Sequence, residues 1–330
     1  MYGSEEKGMS EILVVLQEAV SQVIMQITGM LPALQGAVSQ GVLWGILVLG
    51  VYITYRQLNI SDLTVDGSFA LGGCVCAVLI INQSMHPVLA LFLGMASGAL
   101  AGLVTGLLHT VFEIPAILAG ILTQISLWSI NLRIMDGKSN LSLANVDTAI
   151  SKIVSITGFS QSQGSLLVGV LVAVLMVVVL YWFFGTEYGS ALRATGNNED
   201  MIRALGVNTK TAKVIALMLA NALVGLSGGL VAQSQKYADI GMGTGAIVIG
   251  LAAIVIGEVL MGRFRSFGSK LFSAVIGSVV YFLIRAIVLQ LGMKANDMKL
   301  LSALIVAIAL CVPVAISKWN MYKSYSEEGE

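Results

Sequence analysis

Apolar residues follow one another along this chain in long unbroken stretches, without the alternation of half-buried strands. Such stretches fall at 34–55, 67–82, 87–108, 114–134, 165–184, 214–234, 244–261, 270–291 and 299–317. A helix needs about 20 apolar residues to cross the hydrocarbon core of a bilayer. Only helices and closed barrels satisfy their backbone polar groups in lipid, and barrel strands alternate apolar with polar residues. The pattern therefore predicts an all-α, polytopic membrane protein with about 9–10 transmembrane helices. The tenth candidate is residues 11–31, where Glu11, Glu18, Gln22 and Gln26 gather near one face. That spacing fits an amphipathic helix lying along the interface, and its apolar content also fits a further span. Residues 1–32 are thus set apart from one membrane domain at 33–318 and a tail at 319–330.

Two of the spans open on broken patterns. In "LNISDLTVDGSFALGG" (58–73), Asp62, Thr64, Asp66 and Ser68 precede and interrupt an apolar run. In "YADIGMGTGAIVIG" (237–250), Gly241, Gly243 and Gly245 alternate around Thr244 before another. Discontinuous helices in both halves of a transporter point to a central pathway, because freed helix ends need water or solute. A helix N-terminus there would face a carboxylate of the solute. Ordinary boundary turns with an N-cap are the plainer alternative for both.

Against this background "RATGNNEDMIRALGVNTKTAK" (193–213) stands out. Charged residues make up only 11% of the chain, yet Arg193, Glu199, Asp200, Arg203, Lys210 and Lys213 fall here. Basic loop residues set orientation. Placing this island in the cytoplasm brings Lys7, Arg56, Arg263, Arg265, Lys270, Lys318 and Lys323 with it, eleven basic residues in all. Six remain for the other side: Arg133, Lys138, Lys152, Lys236, Lys294 and Lys299. Residues 135–164 are then the longest outer connection, expected as a small amphipathic cap. Gly94, Gly98, Gly102 and Gly106 recur every fourth residue and line one helix face, a device for close packing.

Sites of chemistry are looked for without result. "DGKS" (136–139) lacks the first glycine of a phosphate loop and follows a membrane span, and "GMGTGA" (241–246) has no βαβ context. "GLSG" (225–228) imitates an intramembrane serine protease, but its base would follow the serine, and both histidines, His86 and His109, precede it. Cys74, Cys76 and Cys311 lack the spacing of a zinc or redox motif. Zero net charge gives no case for nucleic acid, and "MYGSEEKGMSE" is too acidic for a signal peptide's positive start. Glu113, Glu258 and Arg285 are the clearest ionisable residues inside spans, and Glu258 and Arg285, in neighbouring spans, would pair if they stand at similar depth. No catalytic residue, metal or cofactor is assigned.

The island also carries a resemblance. "ALRATGNNEDMIRALGVNTKTAKVIALMLANALVGLSGGLVA" resembles the cytoplasmic loop and following span of bacterial ABC-importer permeases of the branched-chain amino acid, ribose and simple-sugar superfamily. Arg193, Ala194, Gly196, Asn197, Ala204, Gly206 and Asn208 fill the positions of that loop motif, with Val207 in place of its isoleucine. "DLTVDGSF" and "SINLRIMDGKSN" are similar to one bacterial branch, some members of which are linked to aromatic amino acids. The resemblance implies a type II ABC importer-like fold and ATP hydrolysis in a separate ATP-binding subunit. It also implies a solute-binding lipoprotein outside, a homodimer, and a small polar solute, an amino acid first, a sugar or nucleoside second. An ion-coupled secondary transporter is the alternative of another class. Within loop 185–213, Asn197 or Asn198 is expected to cap a short helix, with Glu199 and Asp200 in its first turn and Gly206 ending it. Arg203 completes its polar face, and Met201, Ala204 and Leu205 form an apolar side to seat in the ATPase.

Overall fold

The computed structural model describes residues 31–261, 266–291, 293, 297, 300–308 and 311. All but the last residue of the expected helix at 11–31, and the tail at 319–330, lie outside the described residues. Among the described residues, seven helices are long and apolar enough to cross a membrane. They are α1 (Leu31–Gln57), α2 (Thr64–Gln83), α3 (Pro87–Thr110), α4 (Ala116–Ile134), α6 (Gln161–Gly185), α9 (Thr209–Gln235) and α11 (Phe267–Gln290). A shorter apolar helix, α10, covers Ala246–Met261. Residues 300–308 of the expected last span are helical, and the Tyr281 hydroxyl of α11 donates to Ser302 there. The all-α polytopic architecture is the one the apolar pattern predicts.

Burial separates the helices into a centre and a rim. The most apolar stretches of α1, α2 and α9 are 83%, 72% and 78% buried, against 28% for α4 and 22% for α6. Small residues make the centre possible, since lipid tails supply no hydrophobic drive between helices and close backbone approach does. A Cβ on Gly98 or Gly102 would collide with the carbonyls of Asn221 and Leu217 on α9. Gly94 of the same face meets Gly72 of α2 instead. Hydroxyls add cross-links to backbone carbonyls. Ser227 of α9 donates to the Leu43 carbonyl, and Ser278 of α11 to that of Gly41, each at 2.8 Å.

The two ends of the bundle are built differently. At one end, β1 (Asn140–Ser142) pairs antiparallel with β2 (Tyr237–Asp239), with Leu141 opposite Ala238. Next to this ladder, α5 (Ala149–Thr157) begins with a reciprocal cap between Thr148 and Ser151 and buries Ile150 while Ile156 faces out. The expected amphipathic cap is there. At the other end, the polar island forms two helices, α7 (Glu187–Asn197) and α8 (Glu199–Ala204), with Asn198 between them. The island is shorter than its polarity suggests, because α9 starts at Thr209 and takes Lys210 and Lys213 into its first turns.

Three intramembrane assignments are corrected. Glu113 lies in the exposed turn between α3 and α4, paired with Lys210 at 3.3 Å. Glu258 does not pair with Arg285. It sits near the end of α10 and takes Arg56 at the end of α1 as its partner. Arg285 lies toward the opposite end of α11, its guanidinium 5.7 Å from the centre of the Phe282 ring. α10 and α11 are neighbours as expected, but the two charges stand at different depths.

Candidate functional site

The interrupted spans meet each other. α1 ends in a wide π turn over Ile53–Gln57, and residues 58–63 return toward the bundle without helical structure. Asp62 stops this return. One carboxylate oxygen accepts from the Thr64 N–H at 2.9 Å, starting α2, and the other accepts from the Asn221 side-chain amide at 2.7 Å. Asn221 lies twelve residues past the start of α9, about 18 Å along its axis at 1.5 Å per residue. α2 thus begins well inside the bundle. The Thr64 hydroxyl meets that of Thr105 at 2.7 Å, and Thr105 donates to Thr123 at 2.9 Å. Asp62, Thr64, Thr105, Thr123 and Asn221 are all buried. They form a polar knot binding α2, α3, α4 and α9.

One turn further along α2, Asp66 does something different. Its carboxylate accepts from the backbone N–H groups of Gly245 at 2.9 Å and Ile247 at 3.0 Å. It therefore caps the first turn of α10 from another helix, filling donors that a helix start leaves free. The glycines before α10 have separate reasons. Gly245 takes a φ of +83°, and a Cβ on Gly243 would strike the carbonyl of Asp66. Gly241 donates its N–H to the Asp239 carboxylate at 2.6 Å. The expected helix end facing a carboxylate is present, but the carboxylate belongs to this chain. Asp66 thus already takes two of the donors of that helix start.

Beside this cap lies a cavity of about 30 Å³ lined by Asp66, Gln124, Trp128, Asn131 and Thr244, among others. Asp66, Gly243, Thr244 and Gly245 are thus brought together, while Asp62 and Thr64 belong to the neighbouring knot. Ser68 is buried with its hydroxyl unpartnered. Asn221, Thr105, Thr123, Gln124, Trp128 and Asn131 escaped the sequence reading. Their only signal was an isolated amide, hydroxyl or indole inside an apolar run.

At the far end, α8 has the capping its sequence promised. The Asn198 side chain accepts from the Met201 N–H at 3.0 Å, while Asn197 closes α7. Gly206 ends the segment with a φ of +85°. Glu199 accepts from Arg203 at 2.9 Å and from Lys213 of α9 at 2.6 Å. The Lys213 hydrogen bond, more than any other neighbour, holds the Glu199 carboxyl below its ordinary range. Ile202 is buried and anchors the helix, whereas Met201 and Leu205 are 52% and 72% exposed. Ala204, Asp200 and Arg203 face outward with them. A rigid, capped helix thus presents an apolar side that nothing in the chain covers among the described residues.

Residues 33–310 match the family described as branched-chain amino acid transport system / permease component. The chain belongs to this family. It is 35% identical over 285 residues to a tyrosine transport system permease protein of Clostridioides difficile, covering 86% of this chain and 92% of that one. An uncharacterised protein of Rickettsia prowazekii is 31% identical over 277 residues, covering 83% and 95%. The ribose import permease protein RbsC of Escherichia coli is 25% identical over 272 residues, covering 81% of each. The protein is a permease component of an ABC transporter, a multi-pass protein of the cytoplasmic membrane. Membership implies an ATP-binding subunit and a solute-binding partner. The protease likeness has no support, since the Ser227 hydroxyl is spent on a backbone carbonyl and His109 holds the Ile114 carbonyl.

Proposed function

We propose that this permease works as a homodimer importing a small polar solute, an amino acid first, driven by a separate ATP-binding subunit seated on α8. The observation that carries this reading is the exposed Met201–Ala204–Leu205 side of a capped helix tied to α9 by Glu199 and Lys213. Work done on α8 passes through that ion pair into the helix whose Asn221 holds Asp62, and so toward the interrupted spans. The segments at 62–68 and 241–245 line or gate the solute path. An amino acid is favoured over a sugar because the tyrosine permease relative is more similar, at 35% identity, than the ribose permease, at 25%.

The test is solute-stimulated ATP hydrolysis by the permease, its ATP-binding subunit and its binding protein in proteoliposomes. Met201→Glu and Leu205→Glu are expected to abolish stimulation by charging the seat, and Glu199→Lys to weaken it. Wild-type stimulation in all three would remove α8 from the coupling role. Uptake into vesicles, measured alongside, decides the direction of transport.

A further inference from the structure

We infer that the niche between α2, α4 and the start of α10 receives the ammonium group of the solute, with Asp66 and Asn131 as its acceptors. This rests on the amino-acid reading above and adds which end of the solute the membrane domain recognises, and by which residues.

Size comes first. The niche holds about 30 Å³, above the roughly 10–15 Å³ that a single water needs, so it has room for an ammonium head. Charge comes next. The positive end of a helix is equivalent to roughly half an elementary charge, and Asp66 in its ionised form more than offsets it at α10. The lining residues include no lysine or arginine. The niche is therefore negative, and a solute carboxylate would meet Asp66 where it needed a donor.

Hydrogen-bonding capacity points the same way. The helix donors at Gly245 and Ile247 are already used by Asp66, one on each oxygen. With the Ala246 N–H also directed at it, the carboxylate still has acceptor capacity left of its roughly four lone-pair sites. Asn131 is 1% exposed and lines the niche, and its side-chain oxygen, itself shut off from solvent, has no hydrogen-bond partner among the described residues; a turn about its soft terminal torsion brings that oxygen to the niche. Trp128, 49% exposed, stands at the edge of the niche. Acceptors in excess beside a net negative charge select a charged donor. An ammonium has three N–H bonds and no acceptor, whereas a sugar hydroxyl brings no charge.

The test compares ATP-driven uptake of a labelled mixture of L-amino acids with uptake of the same mixture carrying N-methyl groups, each at saturating loaded binding protein. The complete transporter in proteoliposomes is used, and the ratio of the two uptakes is independent of how much protein is folded. Wild type is expected to prefer primary amines by about tenfold or more, the size of one lost charged hydrogen bond. Asn131→Ala, which makes room, and Asp66→Asn, which keeps a capping oxygen and removes the charge, should bring the ratio close to one. If either variant fails to assemble, Gln124→Ala enlarges the same niche and is expected to lower the ratio in the same direction. Ratios within about twofold of wild type in the variants that assemble would overturn the assignment and leave the niche to a structural water. Wild type that carries no amino acid at all would instead overturn the amino-acid reading, and this inference with it.

Discussion

The side-chain amide of Asn221 on α9 donates to the carboxylate of Asp62 at 2.7 Å, and both residues are fully withdrawn from solvent. A carboxyl group in that position has no basic partner among the described residues, so hydrogen bonds from Asn221 and Thr64 are what offset its burial. Losing a hydrogen bond to a charged group costs about 1.5–3 kcal/mol. Asn221→Leu should therefore lower the thermal stability of the detergent-solubilised protein by an amount in that range. Asp62→Asn should cost less, since its amide oxygen still accepts from the Thr64 N–H. The reverse order of the two variants would show that Asn221 is not the partner that holds Asp62.

Glycines on α3 divide from a glycine elsewhere on physical grounds. A methyl group at Gly98 or Gly102 meets backbone carbonyls of α9, which cannot move aside as a side chain can. At Gly36 nothing lies within 4 Å of the added carbon. Gly98→Ala and Gly102→Ala are expected to destabilise by about 1–3 kcal/mol each through overpacking. Gly36→Ala should leave the melting temperature unchanged or raise it, as alanine favours helix. Equal effects at all three positions would argue against close α3–α9 contact.

What could be read from the chain beforehand follows the range of the interactions involved. Spans are encoded locally, by twenty or so consecutive apolar residues, and the structure places helices in every such stretch that it describes. The cap at Asn198, the stop at Gly206 and the glycine face of α3 were legible for the same reason, since each depends on neighbours within a few positions. Asp66 capping α10 was not legible, because its partners lie 179 and 181 positions away and any acid before an apolar run looks the same. Glu258 was given the wrong partner because adjacency of α10 and α11 says nothing about depth. Trp128 and Asn131 passed unnoticed because a lone polar residue in a span signals a niche only once another helix stands beside it.

The Glu199 carboxyl sits below its usual value near 4.5, chiefly through the Lys213 hydrogen bond. For an acid with a depressed folded-state value, the stabilisation is complete above the unfolded value and disappears as pH falls through the folded one. The gap in stability between wild type and Glu199→Gln should therefore be constant from about pH 6 to pH 8. It should close only in acid, below the ordinary glutamate range. Amide hydrogen exchange in α8 and the first turns of α9 reads this locally. A gap that changed with pH near neutrality would place another titrating group in control of the contact.

Arg56 and Glu258 close the bundle at the end that carries α7 and α8, linking the π turn of α1 to the last turns of α10. Their side chains are 42% and 35% exposed, so as an isolated surface pair they contribute about 0–1 kcal/mol. The sign of the charges matters more than the strength of the pair. Arg56→Glu sets two carboxylates against each other where two helices must meet, and should loosen the α1–α10 contact. The double variant Arg56→Glu with Glu258→Arg restores opposite charges and should recover most of the loss. Thermal unfolding of the two single variants and the double one gives the coupling energy directly. Additive losses would mean that each residue acts through other neighbours, and a recovered double variant would fix the parallel alignment of α1 and α10 as a contact felt in solution.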